Sequence, residues 1–181
     1  MDSFLTIETL YILIATFWFW VFIKLADAHD EHGMKSFYGA ALLYGVLWGV
    51  FGAYMISFSP HLHALYLSIL FYWIYKFKID YINHAIGAII MFLWAFLFKW
   101  EFLFGWTVFL LLSYMGLDYL KILNKTQFKN PYLAQFFRFR PQFIFWPVTF
   151  AIVTQDPIIL SYYIVIYVRM WIIKIFRIDQ D

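Results

Sequence analysis

Cysteine is absent from this chain of 181 residues, and charge is scarce: Asp, Glu, Lys and Arg together make up 13% of it. Without cysteine there is no disulfide, no thiolate metal ligand and no thiol nucleophile. A soluble domain usually carries about 25% charged residues and about 45–50% apolar ones. Here hydrophobic residues reach 65% and aromatics 25%. That much apolar surface cannot be hidden in a water-soluble core of this size, so lipid must solvate much of it. The formal net charge is only +2, with no basic run and no basic–aromatic stripe, so nothing points to nucleic acid as a partner. Glycine and proline are few as well, 8 and 5. No linker rich in Pro, Gly or Ser and no fixed-period repeat divides the chain, so residues 1–181 read as one domain.

A transmembrane helix needs about 20 mostly apolar residues. The first such run, Phe4 to Ile23, lacks the basic start and small-residue cleavage site of a secretory signal, so it reads as a retained span. Further runs cover about Phe37 to Phe58, Leu62 to Phe77, Asp80 to Phe98 and Phe102 to Tyr119. A polar connection, Lys121 to Gln142, leads to a short apolar run, Phe143 to Val153, and a final one, Ile158 to Phe176. The expected fold is therefore all-α: a polytopic transmembrane helical bundle of seven spans, or six if the run after Gln142 is re-entrant. Cytoplasmic loops carry excess Lys and Arg. Lys24 and Lys35 follow the first run, Lys76 and Lys78 the third, and Lys121, Lys125, Lys129, Arg138 and Arg140 the fifth. Lys174 and Arg177 lie in the tail, and the intervening connections hold only Lys99. This alternation predicts a multi-pass protein with its N-terminus outside and its C-terminus cytoplasmic.

The second run carries Ala41, Gly45, Gly49 and Ala53, each four residues after the last. Small residues at that spacing line one helix face and admit a neighbouring backbone. A packing seam within the bundle is the plain reading; a pore lining or a dimer seam is the alternative. The latter leaves room for a homo-oligomer or a partner membrane subunit.

Chemistry gathers in four places. In Lys24-Leu-Ala-Asp27-Ala-His29-Asp30-Glu31-His32-Gly33, the first helix continues and Asp27, Asp30 and Glu31 share a face. Clustered carboxylates repel unless a cation neutralises them. Lys24 can do part of this. A divalent cation is the other candidate, Mg²⁺ or Mn²⁺ on Asp27, Asp30 and Glu31, with Zn²⁺ the lesser fit through His32. The structural alternative is a solvated helix end. In Lys76-Phe-Lys78-Ile-Asp80-Tyr-Ile-Asn83-His84, Asp80 and His84 stand one turn apart, and His84 should face protein rather than lipid. Asp80 and His84 are the leading catalytic candidates, unless Asp80 pairs with Lys76. Asp118, a third catalytic candidate, would reach the same leaflet, unless it pairs locally with Lys121. Arg138 and Arg140, with Lys78, are candidate substrate-binding groups, because a guanidinium meets phosphate through two parallel hydrogen bonds; snorkelling anchors explain the arginines equally. His61 and His63 read as surface residues of an external turn, Asp156 before Pro157 as a turn or helix start. Arg169 would need a polar partner inside the bundle.

Asp27-x-x-Asp30-Glu31-x-x-Met34-Lys35 resembles the opening of the CDP-alcohol phosphotransferase signature. Glu31 stands where that signature has Gly, Met34-Lys35 where it has Ala-Arg, and its later spaced aspartates do not follow, so no family is assigned. Three functions compete: a divalent-metal-dependent membrane enzyme, a transferase acting on a lipid or lipid-linked phosphate; an ion, proton or small-molecule transporter; and a non-catalytic membrane subunit that docks a cytoplasmic partner. Polar groups clustered at one leaflet favour the enzyme or the subunit, since a transport path needs them through the bilayer.

Overall fold

The computed structural model describes residues 7–30, 34, 36–97, 103–138 and 141–176, apart from the side chains at 138, 141–143, 169, 170, 173 and 176. The described residues are 87% helical, with no strand among them. In order come α1 (Ile7–Asp30), α2 (Ala40–Ile56), α3 (Pro60–Tyr75), α4 (Ile82–Leu97) and α5 (Phe104–Leu123), which runs on into a π-helical turn, Asn124–Phe128. Then follow α6 (Pro131–Arg138), α7 (Pro141–Thr154), a 3-10 segment (Pro157–Tyr163) and α8 (Ile164–Phe176).

Local chemistry sets several of these boundaries. Ser59 caps α3 by accepting a hydrogen bond from the Leu62 N–H (3.0 Å), with Pro60 preset at the first helical position. Asp156 starts the 3-10 segment in the same way, accepting from the Ile158 N–H (3.2 Å) ahead of Pro157, as its sequence position suggests. α1 does continue past its apolar run to Asp30, carrying Lys24 and Asp27 with it.

Among the described residues, two helices are long and apolar enough to cross a hydrocarbon core, Ile7–Asp30 and the continuous Phe104–Phe128. α2 and α4 are apolar but shorter, at 17 and 16 residues. Leu42, Val50, Leu93, Phe96, Leu112 and Ile152 all stand exposed on the outside of the bundle. An outer surface of this kind, with two helices of spanning length, fits membrane association.

The small residues of α2 do form a packing seam, and its partner is α4. A Cβ on Gly45 would lie 2.6 Å from the Asn83 carbonyl oxygen, and one on Gly49 would lie 2.8 Å from the Gly87 Cα. One helical turn further on, Gly52 faces Met91. Beyond it the Trp94 Nε1–H donates to the Ser57 hydroxyl. Both numberings rise together, so α2 and α4 run parallel with their backbones in contact. Gly87 in turn lies under the Trp48 indole, where a Cβ would come within 2.1 Å of Cε2.

Side-chain pairs fix which helix ends meet. Asp27 of α1 meets His84 of α4, and Lys76 at the end of α3 meets Asp118 of α5. At the other end of α3, Ser59 and His61 both meet Asp156, just beyond α7. α3 and α5 therefore run parallel, and α7 ends at the opposite end of the bundle from the Asp27–His84 pair. The final apolar run is less simple than its length implies. From Tyr162 to Trp171 the ring contacts on α1 shift only from Trp20 to Phe17, towards its N-terminus. α8 thus turns away from the course of the 3-10 segment instead of continuing down α1.

His63 corrects the expectation of a surface residue. It is 3% exposed, because the Ser59 cap starts α3 early enough that His63 falls in its first turn, on the face packed against the bundle.

Replacing Gly49 by Leu should lower the melting temperature and yield, at a cost of about 3 kcal/mol, because no side-chain rearrangement relieves a clash with the Gly87 backbone. Leu42→Ala, at a position 52% exposed, should cost far less in the same detergent. Thermal melts of both variants check the order.

Candidate functional site

The seam delivers the N-terminal turn of α4 to the C-terminal end of α1. Asn83 is fully buried opposite Gly45, and its Oδ1 accepts a hydrogen bond from the His84 N–H at 2.6 Å. The next residue, His84, is 9% exposed and reaches across to α1. Its Nε2 lies 3.1 Å from Asp27 Oδ1. The other Asp27 oxygen, Oδ2, accepts from the Lys24 ammonium one turn earlier on α1. On the far side of the ring, Nδ1 lies 3.8 Å from Asp80 Oδ1, too far for a hydrogen bond, and makes none. Asp30, which pairs with His29 at 2.9 Å, adds its charge to the surroundings of the same imidazole. The result is a Lys24–Asp27–His84 array, with Asp80 and Asp30 beside it.

Each of its members needs the others. Lys24 and Asp27 lie at the end of an otherwise apolar helix, with side chains 28% and 18% exposed. Partial burial makes an unpaired ion costly there, and the Asp27 carboxylate meets the Lys24 ammonium on one oxygen and the His84 imidazole on the other. A carboxylate on Nε2 also orients the ring and leaves Nδ1, itself buried, without a hydrogen bond.

The sequence-derived site residues divide accordingly. Asp27, Asp30, Asp80 and His84 come together, as their grouping suggests. Asp118 does not join them. It pairs with Lys76 at 2.5 Å, and neither expected local partner, Lys121 for Asp118 or Asp80 for Lys76, is the one taken. The reason is rotation: α5 packs beside α3 with Asp118 turned towards the α3 terminus and Lys121 turned outwards. Lys78 is exposed in the same connection. Glu31, His32 and Arg140, and the side chains of Arg138 and Arg169, lie outside the described residues.

Among the described residues, no three His, Asp or Glu side chains stand together in a way that could hold a metal ion. The Asp27 carboxylate is occupied on both oxygens by Lys24 and His84. Among the described residues the donor set does not fit a divalent cation; Glu31 and His32, the other expected ligands, lie outside them.

Sequence reasoning missed a second set of groups. Trp20 Nε1, Trp48 Nε1, the Tyr66 hydroxyl and Ser161 Oγ are buried mid-bundle without a hydrogen bond of ordinary geometry. Thr16 and Trp20 do stand beside the Tyr66 hydroxyl. Tyr and Trp count as apolar in a hydropathy run, so only the hydroxyl and indole N–H, taken atom by atom, could have signalled them.

No protein-family model, curated protein or solved structure matches this chain.

If Asp27 and His84 hold α1 to α4, Asp27→Asn and His84→Gln should each cost about 1–3 kcal/mol, and the double variant less than their sum. Additive losses in a double-mutant cycle of thermal melts would show that the contact contributes nothing to the fold.

Proposed function

We propose that this chain is a multi-pass membrane protein with its N-terminus outside, and that it acts on a lipid or lipid-linked phosphate at its Asp27–His84 end, on the cytoplasmic side. One observation carries the reading. An imidazole with one nitrogen on a half-buried carboxylate and the other buried without a hydrogen bond is joined by two further carboxylates and lies near Lys24. His84 would take or return a proton at Nδ1, while Asp27 orients the ring and balances its charge. Asp80, 57% exposed at its side chain, would meet the polar end of the substrate, and Asp118 would act through Lys76. Lys78, Arg138 and Arg140 would bind phosphate oxygens.

A second reading, a proton path, is favoured by the buried polar atoms of Trp20, Trp48, Tyr66 and Ser161. They lie between the His84 array and the His61–Asp156 pair at the opposite end, where Nδ1 and Oδ2 are 2.9 Å apart. Proton flux into vesicles loaded with a pH dye separates the two readings. A path predicts flux that His84→Ala removes, whereas the enzyme reading predicts none.

For the enzyme, prenyl-linked and acyl-linked phosphates can be offered to reconstituted protein and followed by phosphorus NMR. Turnover by the parent, with none by equal amounts of folded His84→Ala or Asp27→Asn, is the expected outcome. Adding Mg²⁺, Mn²⁺ or Zn²⁺ to metal-free protein should leave the melting temperature unchanged, since only an ion that binds the folded state raises it.

Absence of cysteine makes the topology directly testable. Lys78→Cys and Lys125→Cys should react with an impermeant maleimide only from the cytoplasmic side, and Gln155→Cys only from outside. The charge of Lys174 and Arg177 favours a cytoplasmic C-terminus. Lys174→Cys should label with Lys78→Cys if the final run completes a crossing, and with Gln155→Cys if the turn at Ile164 sends it back.

A further inference from the structure

Between Asp118 and Asp156 the sequence holds no acidic residue but five basic ones: Lys121, Lys125, Lys129, Arg138 and Arg140. This stretch contributes +5 to a chain whose formal charge is +2, so the remainder carries −3. The lysines have a defined geometry. Lys121 lies in the last turn of α5, Lys125 in the π-helical turn, and Lys129 just after it, in the left-handed region with φ 48°. Spaced by four along one continuous helix and its terminus, they fall on neighbouring turns of one side. All three are exposed, and none makes an ion pair among the described residues, in contrast to Lys24 and Lys76.

The chain that follows is folded. Asn124, 4% exposed, uses its amide twice on Asn130: Nδ2–H donates to the Asn130 carbonyl at 3.1 Å, and Oδ1 accepts from the Asn130 N–H at 2.9 Å. Asn130 Oδ1 then caps α6 by accepting from the N–H groups of Tyr132 and Leu133. On α6, Tyr132, Leu133, Phe136 and Phe137 form one continuous arc. Phe137, 6% exposed, anchors the helix to the bundle, while Tyr132 and Phe136 remain 82% and 46% exposed. A short helix with an aromatic outer edge, clamped beside three unpaired ammonium groups at the end of a spanning-length helix, suits the headgroup zone of a bilayer.

We propose that the Lys121–Lys125–Lys129 stripe and α6 form a docking surface for the phosphates of anionic lipids in the cytoplasmic leaflet, with Tyr132 and Phe136 seated at the headgroup level. Charge complementarity selects this occupant, because the surface carries only cations and the leaflet supplies the anions. The inference rests on the multi-pass reading. It does not depend on the activity proposed for the His84 array.

The test uses the full chain in nanodiscs of phosphatidylcholine, with or without phosphatidylglycerol. The parent should melt roughly 5–10 °C higher with the anionic lipid. The triple variant Lys121→Gln/Lys125→Gln/Lys129→Gln should lose most of that difference, the corresponding triple arginine variant should keep it, and concentrated salt should remove it. An environment-sensitive dye on Phe136→Cys should report the headgroup zone, and on Ala134→Cys water. Equal melting in the two lipids, or a full shift in the triple glutamine variant, overturns the proposal. So does a Phe136→Cys label that reads water, which would mean that this face is open to a soluble partner. A chain that never enters the bilayer would instead fail the multi-pass reading.

Discussion

Direct backbone contact between α2 and α4 is the constraint on which the charged end depends. Where Gly45 meets the Asn83 carbonyl and Gly49 meets Gly87, no side chain separates the two helices. In the proposed multi-pass arrangement lipid offers no hydrophobic drive for helix association, so dispersion between closely fitted surfaces would hold the pair. The Trp48 indole then closes over Gly87, and the first turn of α4 is held against α1. Had either glycine carried a side chain, the helices would stand further apart and His84 would miss Asp27.

Polar pairs then tie the remaining helix ends. Asp27 with Lys24 and His84 joins α1 to α4, Lys76 with Asp118 joins α3 to α5, and Asp156 with Ser59 and His61 joins the end of α7 to α3. Each contact connects elements that the apolar surfaces alone would let slide or rotate. Away from water a mismatched ion is costly, so such pairs specify register more than they add stability. The same logic separates the two kinds of lysine. Those facing the bundle are paired. Those along the outer edge of α5 and its π-helical turn are not, among the described residues.

The mid-bundle polar atoms contrast with both ends. Trp20, Trp48, Tyr66 and Tyr162 fill the core with rings, several meeting edge to face, and most of their area is apolar. Their N–H and O–H groups still need partners, and several find none of ordinary geometry. That deficit is what gives the proton-path reading its footing beside the enzyme.

The sequence by itself determined the helical class, the positions of the apolar runs and the small-residue face of α2. Each of these is written in local spacing: run length against bilayer thickness, and a four-residue period against the helical turn. The grouping of Asp27, Asp30, Asp80 and His84 was also legible, since charged residues collect at helix ends and alternate in side. Partner choice was not. Lys76 takes Asp118 over its neighbour Asp80, His63 turns inward, and α8 leaves the course of the segment before it. Those outcomes depend on the rotation of each helix about its own axis, and α2 and α3 are apolar on nearly every face, so their sequences scarcely prefer one rotation to another. Only packing against neighbours, and the requirement that each buried charge find an opposite one, decided them.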